Sequence, residues 1–317
     1  MNKNTKIWLN YLIGGTLSAL MLWGIYVQVM KQIDKVGANP SELFATGHNI
    51  FLIVCILLLP VNLALEAKKW HLLANSAQKL SYKDAFTSYI AGIAFATVTP
   101  NRLGEYPGRI LYLKRKNTVR LISVSILGAT AQILTLFICG FLGLLYYNLV
   151  IDDTLGRVLL LPALVVTIIL FIAYWKFETW IPLIERFNIS WLKRLNVYGK
   201  LLKRFTFREQ LTILGISILR FSIYTAQYLF LIYWMNVEVS LIDGLFTCAL
   251  FFGVVSVVPS LTIIELGERG FVSLYLFQHF SDNVVGILAA TVGLWIINLA
   301  IPAILGSVLL IRMKLFR

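Results

Sequence analysis

Six long apolar runs divide the chain, at about residues 7–30, 46–66, 119–148, 157–175, 209–235 and 284–311. Each is near the roughly 20 residues that a helix needs to cross the hydrocarbon core of a bilayer, so the pattern predicts six spanning helices. Two further apolar stretches, 84–112 and 241–277, are interrupted by proline, glycine and charge, in ATVTPNRLGEYPGR and SVVPSLTIIELGERG. They are expected to enter and leave the membrane on one side, as re-entrant hairpins. Basic residues decide this, because short loops rich in Lys and Arg stay on the cytoplasmic side. If each stretch crossed once, Lys114, Arg115, Lys116 and Arg120 would face outward, with the eight basic residues of 176–208. If each is a hairpin, every basic loop falls inside. Only Lys31, Lys35 and Arg157 are then left outside, and Arg102, Arg109, Arg220 and Arg269 lie at membrane depth. The expected fold is an all-α polytopic membrane protein of six spans and two opposed hairpins, a single transmembrane domain over 1–317 with both termini cytoplasmic. The first run is expected to be a retained helix, being too long for a signal peptide and followed by no small-residue cleavage site.

The two interrupted stretches resemble each other. Ser81-x-x-Asp84 and Pro100 match Ser240-x-x-Asp243 and Pro259 at a constant offset of 159, and Ala94 aligns with Gly253. After a four-residue insertion, Leu103-Gly104-Glu105 matches Leu266-Gly267-Glu268. Each half reads helix, helix, hairpin, helix, and the halves start on opposite sides. This predicts an inverted-topology repeat, about 1–150 (hairpin 84–112) and about 151–317 (hairpin 241–277), a plan used by secondary transporters.

Composition agrees. Hydrophobic residues make up 59% and charged residues 14%, against about 45–50% and about 25% in soluble domains, and the mean hydropathy is +0.80. These values exclude a soluble enzyme, a disordered chain and a disulfide-stapled secreted domain. The net charge of +13 sits in short loops, where it marks topology and a lipid surface rather than nucleic acid. Cys55, Cys139 and Cys248 lie far apart in apolar runs, so neither a disulfide nor a metal site is expected, and no cofactor. His48, His71 and His279 read as interfacial. Trp8, Trp70, Trp175 and Trp234 fit an aromatic belt. Residues 67–83 and 186–208 mix basic and aromatic side chains. They read as short surface helices, serving either as cytoplasmic anchors or as attractors of anionic lipid.

Chemistry is expected at the hairpin tips, where broken backbone must be buried in protein or line a wet cavity. At each tip the chain turns at a proline and restarts a helix near the Leu-Gly-Glu triplet, so Pro100, Asn101, Gly104, Pro259 and Gly267 form the tip backbone. Helix starts expose unpaired N–H groups that suit an anion. Ionisable groups at this depth are costly and functional by default. They are Arg102, Glu105, Arg109, Arg220, Glu265, Glu268 and Arg269. Arg220 lies about 12 residues, or about 18 Å, into its helix, too deep to reach either surface. Two readings coexist: salt bridges such as Arg102–Glu105 or Arg220–Glu268 that hold the hairpins, or a polar seam for a charged head group. Glu66 and Asn62 belong either to that seam or to the interface. No Walker A sequence, HExxH or Ser/His/Asp set occurs, which disfavours ATP-driven work and enzyme catalysis.

Pro100-Asn101-Arg102-Leu103-Gly104-Glu105, followed by Arg109, resembles the P-x-R-x-G-E-x-x-R signature of the lysylphosphatidylglycerol synthase transmembrane region family, also called flippase-like domain proteins. Lys69-Trp70-His71-Leu72-Leu73 is similar to that family's basic-Trp segment. Pro259 and Glu265-Leu266-Gly267-Glu268-Arg269-Gly270 resemble its second motif. Asn101 replaces a usual glycine, and Pro107 is an extra proline before Arg109. The resemblance implies a lipid translocase of the inner (cytoplasmic) membrane. Bifunctional members flip an aminoacylated phosphatidylglycerol made by a separate synthase domain, which is not expected here. Stand-alone members are thought to move other lipids, including polyprenyl-phosphate-linked sugars. The expected partner is an anionic membrane lipid, with Arg102, Arg109, Arg220 and Arg269 meeting phosphate and Glu105 and Glu268 balancing charge. The rival expectations are a secondary transporter of a soluble anion and a non-transporting module that partners a lipid-modifying enzyme.

Overall fold

Ten helical segments account for nearly all of the structure, a computed structural model that describes Trp23 and residues 49–97, 99, 104–113, 117–151, 153–176, 205–257 and 262–311. In chain order they are α1 (Asn49–Ala77), α2 (Tyr82–Ala96), α3 (Glu105–Tyr112), α4 (Thr118–Ile151), α5 (Thr154–Trp175), α6 (Phe207–Trp234), α7 (Leu241–Val257), α8 (Thr262–Phe277), α9 (Val284–Trp295) and α10 (Ile301–Ile311). A π-helical turn, Ile296–Ala300, joins α9 to α10. Pro302 sits just beyond it and has no N–H to donate back, and such local losses of register are tolerated in membrane helices when neighbours satisfy the freed groups.

Among the described residues, five helical stretches are long and apolar enough to cross a membrane: α1, Arg120–Ile151, α5, α6 and Val284–Leu309. The chain is therefore a multi-pass, all-helical membrane protein. These five match five of the predicted spans, and the sixth, 7–30, lies outside the described residues apart from Trp23. Helix starts are written in the sequence. The Ser81 hydroxyl accepts from the Asp84 amide at 3.1 Å and Ser240 from Asp243 at 3.2 Å, so the two Ser-x-x-Asp boxes open α2 and α7 in the same way. Thr206 and Glu209 form a capping box at α6, and Asp153 caps α5.

One expectation is overturned in α1. Residues 67–77 do not form a separate surface helix; they continue α1 without a break. Ala67, Lys69, Trp70, Leu73 and Ala74 are buried there. The basic-aromatic composition suggested an interfacial helix, but the buried side chains recur at helical spacing and pack inward. Lys69 thus does not belong to a basic loop, and Trp70 is not part of an interfacial belt: it is fully buried and donates to the Ser88 hydroxyl at 2.9 Å.

Packing is reciprocal between the halves. α1 and α6 run antiparallel at the centre, with Cys55 bonded to Gln227 at one level and Asn62 to Arg220 at another. α7 packs on α4 and α2 packs on α10. Both of these contacts are made close by glycine. A Cβ on Gly140 would lie 2.8 Å from the Gly253 Cα, one on Gly143 would lie 2.6 Å from the Phe246 carbonyl, and one on Gly306 would meet Ile90 and Ala94. Small residues let helix backbones approach where no hydrophobic drive separates protein from lipid. Among the described long helices α5 is the least buried, and most of its apolar side chains are exposed.

Candidate functional site

Asn62, Glu66 and Lys69 fall on one face of α1, because positions four and seven residues apart stack along a helix. All three are at most 4% exposed. Two other helices bring charge to that face and a third brings an amide. α3 supplies Glu105 and Arg109, α6 supplies Arg220, and α4 supplies Gln132. Glu66 lies at the centre: among the described residues, its carboxylate reaches Lys69 Nζ at 2.8 Å, Arg109 Nη2 at 2.9 Å and Arg220 Nη1 at 2.9 Å. Arg109 also pairs with Glu105, one helical turn before it.

Each cation is held in a different way. The Arg109 guanidinium lies over the rings of Trp70, Tyr89 and Tyr106, at 5.4, 4.7 and 5.4 Å, a cation–π environment that suits a weakly hydrated planar ion. Gly92 makes room for it: a Cβ there would lie 2.6 Å from the Arg109 side chain. Lys69 also donates to Gln132 Oε1 at 3.2 Å and to the Ser217 hydroxyl at 3.4 Å. Arg220 donates to Asn62 Oδ1 at 2.9 Å, to Gln132 Oε1 at 3.4 Å, and to the Tyr89 and Tyr224 hydroxyls at 3.3 and 3.5 Å. Asn62 in turn donates to Asn298 Oδ1 at 2.8 Å, on the π turn between α9 and α10. The network therefore spans both halves of the chain.

This network lines a cavity of about 400 Å³. Phe252 and Ser256 of α7, Arg269 of α8, Trp295 at the end of α9 and Asn298 of the π turn close the other side. Among the described lining residues, four are cationic (Lys69, Arg109, Arg220, Arg269) and two are carboxylates (Glu66, Glu105). Away from bulk water an excess of positive charge is costly unless an anion meets it, so the cavity is electrostatically matched to an anionic group.

Of the residues expected at the site, Glu105, Arg109, Arg220 and Arg269 are brought to one cavity. Glu268 is half-buried on α8 and does not line it. The expected Arg220–Glu268 pair is replaced by Arg220–Glu66. Arg102, Pro100, Asn101 and Pro259 lie outside the described residues, as does the Glu265 side chain. Gly104 caps the start of α3 as expected, its N–H donating to the Thr99 hydroxyl at 2.7 Å. Gly267 does not form tip backbone: it lies inside α8, which is already helical at Thr262.

Sequence reasoning left Glu66 and Asn62 open and missed Lys69, Gln132 and Asn298 as site residues. A readable signal existed. Had the second helix been extended past residue 66, the spacing of Asn62, Glu66 and Lys69 would have aligned them on one face. Gln132 and Asn298 are amides inside apolar runs, which have to find partners at membrane depth.

Fold and site together define a polytopic helical membrane protein in which a buried ion-paired network lines a partly open, predominantly cationic cavity. The family model for the lysylphosphatidylglycerol synthase TM region matches residues 11–306, nearly the whole chain, and the chain belongs to that family. No curated protein and no solved structure matches it.

Proposed function

We propose that the protein moves an anionic lipid between membrane leaflets, its phosphate passing through the cavity while the acyl or prenyl tails stay in the bilayer. The observation that carries this reading is the charge of the cavity, four basic side chains against two carboxylates among the described lining residues. Guanidinium groups match phosphate oxygens in geometry and charge. Membership of a family defined on the membrane part of a lipid-modifying system points to lipid rather than to a soluble solute. The head group meets Arg220 and Arg269 from opposite walls, with Arg109 held behind by Glu66 and Glu105. By its sequence motif, Arg102 serves the same head group.

The reciprocal packing of α7 on α4 and of α2 on α10, with α1 and α6 antiparallel between them, supports an inverted repeat. In that reading the α2–α3 and α7–α8 hairpins enter from opposite faces, and the cavity between them opens to each side in turn. Both termini are cytoplasmic, set by the basic loops.

The test is reconstitution into vesicles carrying a fluorescent phosphatidylglycerol, with leaflet exposure read by dithionite quenching. Wild type should equilibrate the label across the bilayer, and Arg220→Ala should abolish this while keeping its melting profile in detergent. Equal translocation by the two proteins would remove Arg220 from the route. Movement of a soluble phosphate ester without movement of lipid would replace the reading with a soluble-anion carrier.

A further inference from the structure

We infer that Glu66 is a resident counterion, which holds Arg220 while the cavity is empty and which the phosphate of an incoming ligand must displace. The inference rests on the anion-binding reading above and adds the competitor inside the site.

Arg220 has more donor capacity than its protein partners use well. Its contact with a carboxylate is to Glu66, at 2.9 Å through Nη1. Its Nε bond goes to the neutral amide of Asn62, at 2.9 Å. The remaining contacts, to Gln132, Tyr89 and Tyr224, are long at 3.3–3.5 Å and go to neutral oxygens. Hydrogen bonds at such distances are weak, whereas charge-assisted bonds to phosphate oxygens are short and about twice as strong. A phosphate in the cavity would therefore replace the poor contacts first, and then compete with Glu66 for Nη1. Glu66 can yield Arg220 without becoming an isolated buried charge, because Lys69 and Arg109 remain at 2.8 and 2.9 Å. Arg109 cannot yield so readily, since it is 2% exposed, stacked among three rings and shared with Glu105. The exchangeable partner is thus the Arg220–Glu66 contact, and the Arg109–Glu105 pair is fixed scaffolding.

This predicts opposite effects from two nearly isosteric changes in the same network. Glu66→Gln keeps an oxygen acceptor and removes the competing charge. Gln132→Glu places a second resident carboxylate where an oxygen already receives Lys69 and Arg220 at 3.2 and 3.4 Å. Binding of dihexanoyl phosphatidylglycerol to the full-length protein in a zwitterionic detergent would be measured by titration calorimetry, with glycerol 3-phosphate run in parallel. Relative to wild type, Glu66→Gln should bind on the order of tenfold more tightly and Gln132→Glu on the order of tenfold more weakly, the effect of adding or removing one charge-assisted hydrogen bond. A lipid source of the phosphate gives these shifts with the lipid and no binding of the soluble ester; a free phosphate ester gives them with both. If Glu66→Gln does not fold, Gln132→Glu carries the test alone. The inference is overturned if folded Glu66→Gln binds no more tightly than wild type, or if Gln132→Glu binds equally well. If Arg220→Ala removes binding while neither charge change alters it, the anion site stands and the counterion role alone fails. If neither probe binds wild type, the anion-binding reading fails first and takes this inference with it.

Discussion

The helix pairs α2–α3 and α7–α8 begin alike and end differently. Both open on a Ser-x-x-Asp cap, and their first helices pack closely through glycine, α2 on α10 and α7 on α4. Their return helices then diverge. The first, α3, has 8 residues, starts at Glu105 and carries Arg109 into the ion-paired centre. The second, α8, has 16 residues and runs straight through its own Leu-Gly-Glu triplet, bringing Arg269 to the cavity. The polar core beside α8 is neutral: the Tyr228 hydroxyl bonds Ser273 and Thr291, which bond each other. The same short motif therefore starts a helix in one half and lies inside a helix in the other. What separates them is local. A Cβ on Gly104 would lie 2.5 Å from the Phe95 carbonyl, whereas Gly267 has nothing within 4 Å.

The largest expected contrast is between the acidic groups of the two halves. Glu66→Ala should cost about 3–5 kcal/mol, because three buried cations lose their shared counterion. Glu268→Ala, off the cavity, should cost less than Glu66→Ala. Thermal unfolding in detergent, followed by tryptophan fluorescence, would measure both, and equal losses would break the asymmetry. The two glycines come next. Gly104→Ala should destabilise by about 1–3 kcal/mol through the clash with Phe95. Gly267→Ala should be neutral, or stabilise by up to about 1 kcal/mol, as a helix-interior glycine replaced. The same melting assay decides this, and matching signs would mean that the two triplets are equivalent after all. The smallest effect belongs to the neutral core. Tyr228→Phe should cost about 1 kcal/mol, the usual worth of a side-chain hydrogen bond within a membrane bundle, and should leave phosphatidylglycerol binding unchanged in calorimetry. A loss of binding would draw the second half's hydroxyls into the site.

Much of the architecture was legible in one dimension. Apolar run length located five spans that the structure contains, and side-chain caps stand at the starts of α2, α5, α6 and α7. Arg220 stood out because no surface lies within its reach. The failures share one cause. Lys69 and Trp70 sit in a run whose composition suits a membrane surface, and only the neighbouring helices turn that run inward. Ser88 receives the Trp70 N–H, while Glu66, Gln132 and Ser217 satisfy Lys69.

The order of residues dictates the solvent this protein folds in, the lengths of its helices, where most of them start and which charges must find partners at depth. Those are local properties, set by transfer from water to hydrocarbon and by backbone capping. Which charges pair is settled by the assembled helices alone. Glu66 sits 43 residues from Arg109 and 158 separate Asn62 from Arg220, and a buried ion is stabilised by whatever the fold sets beside it, not by its neighbours along the chain.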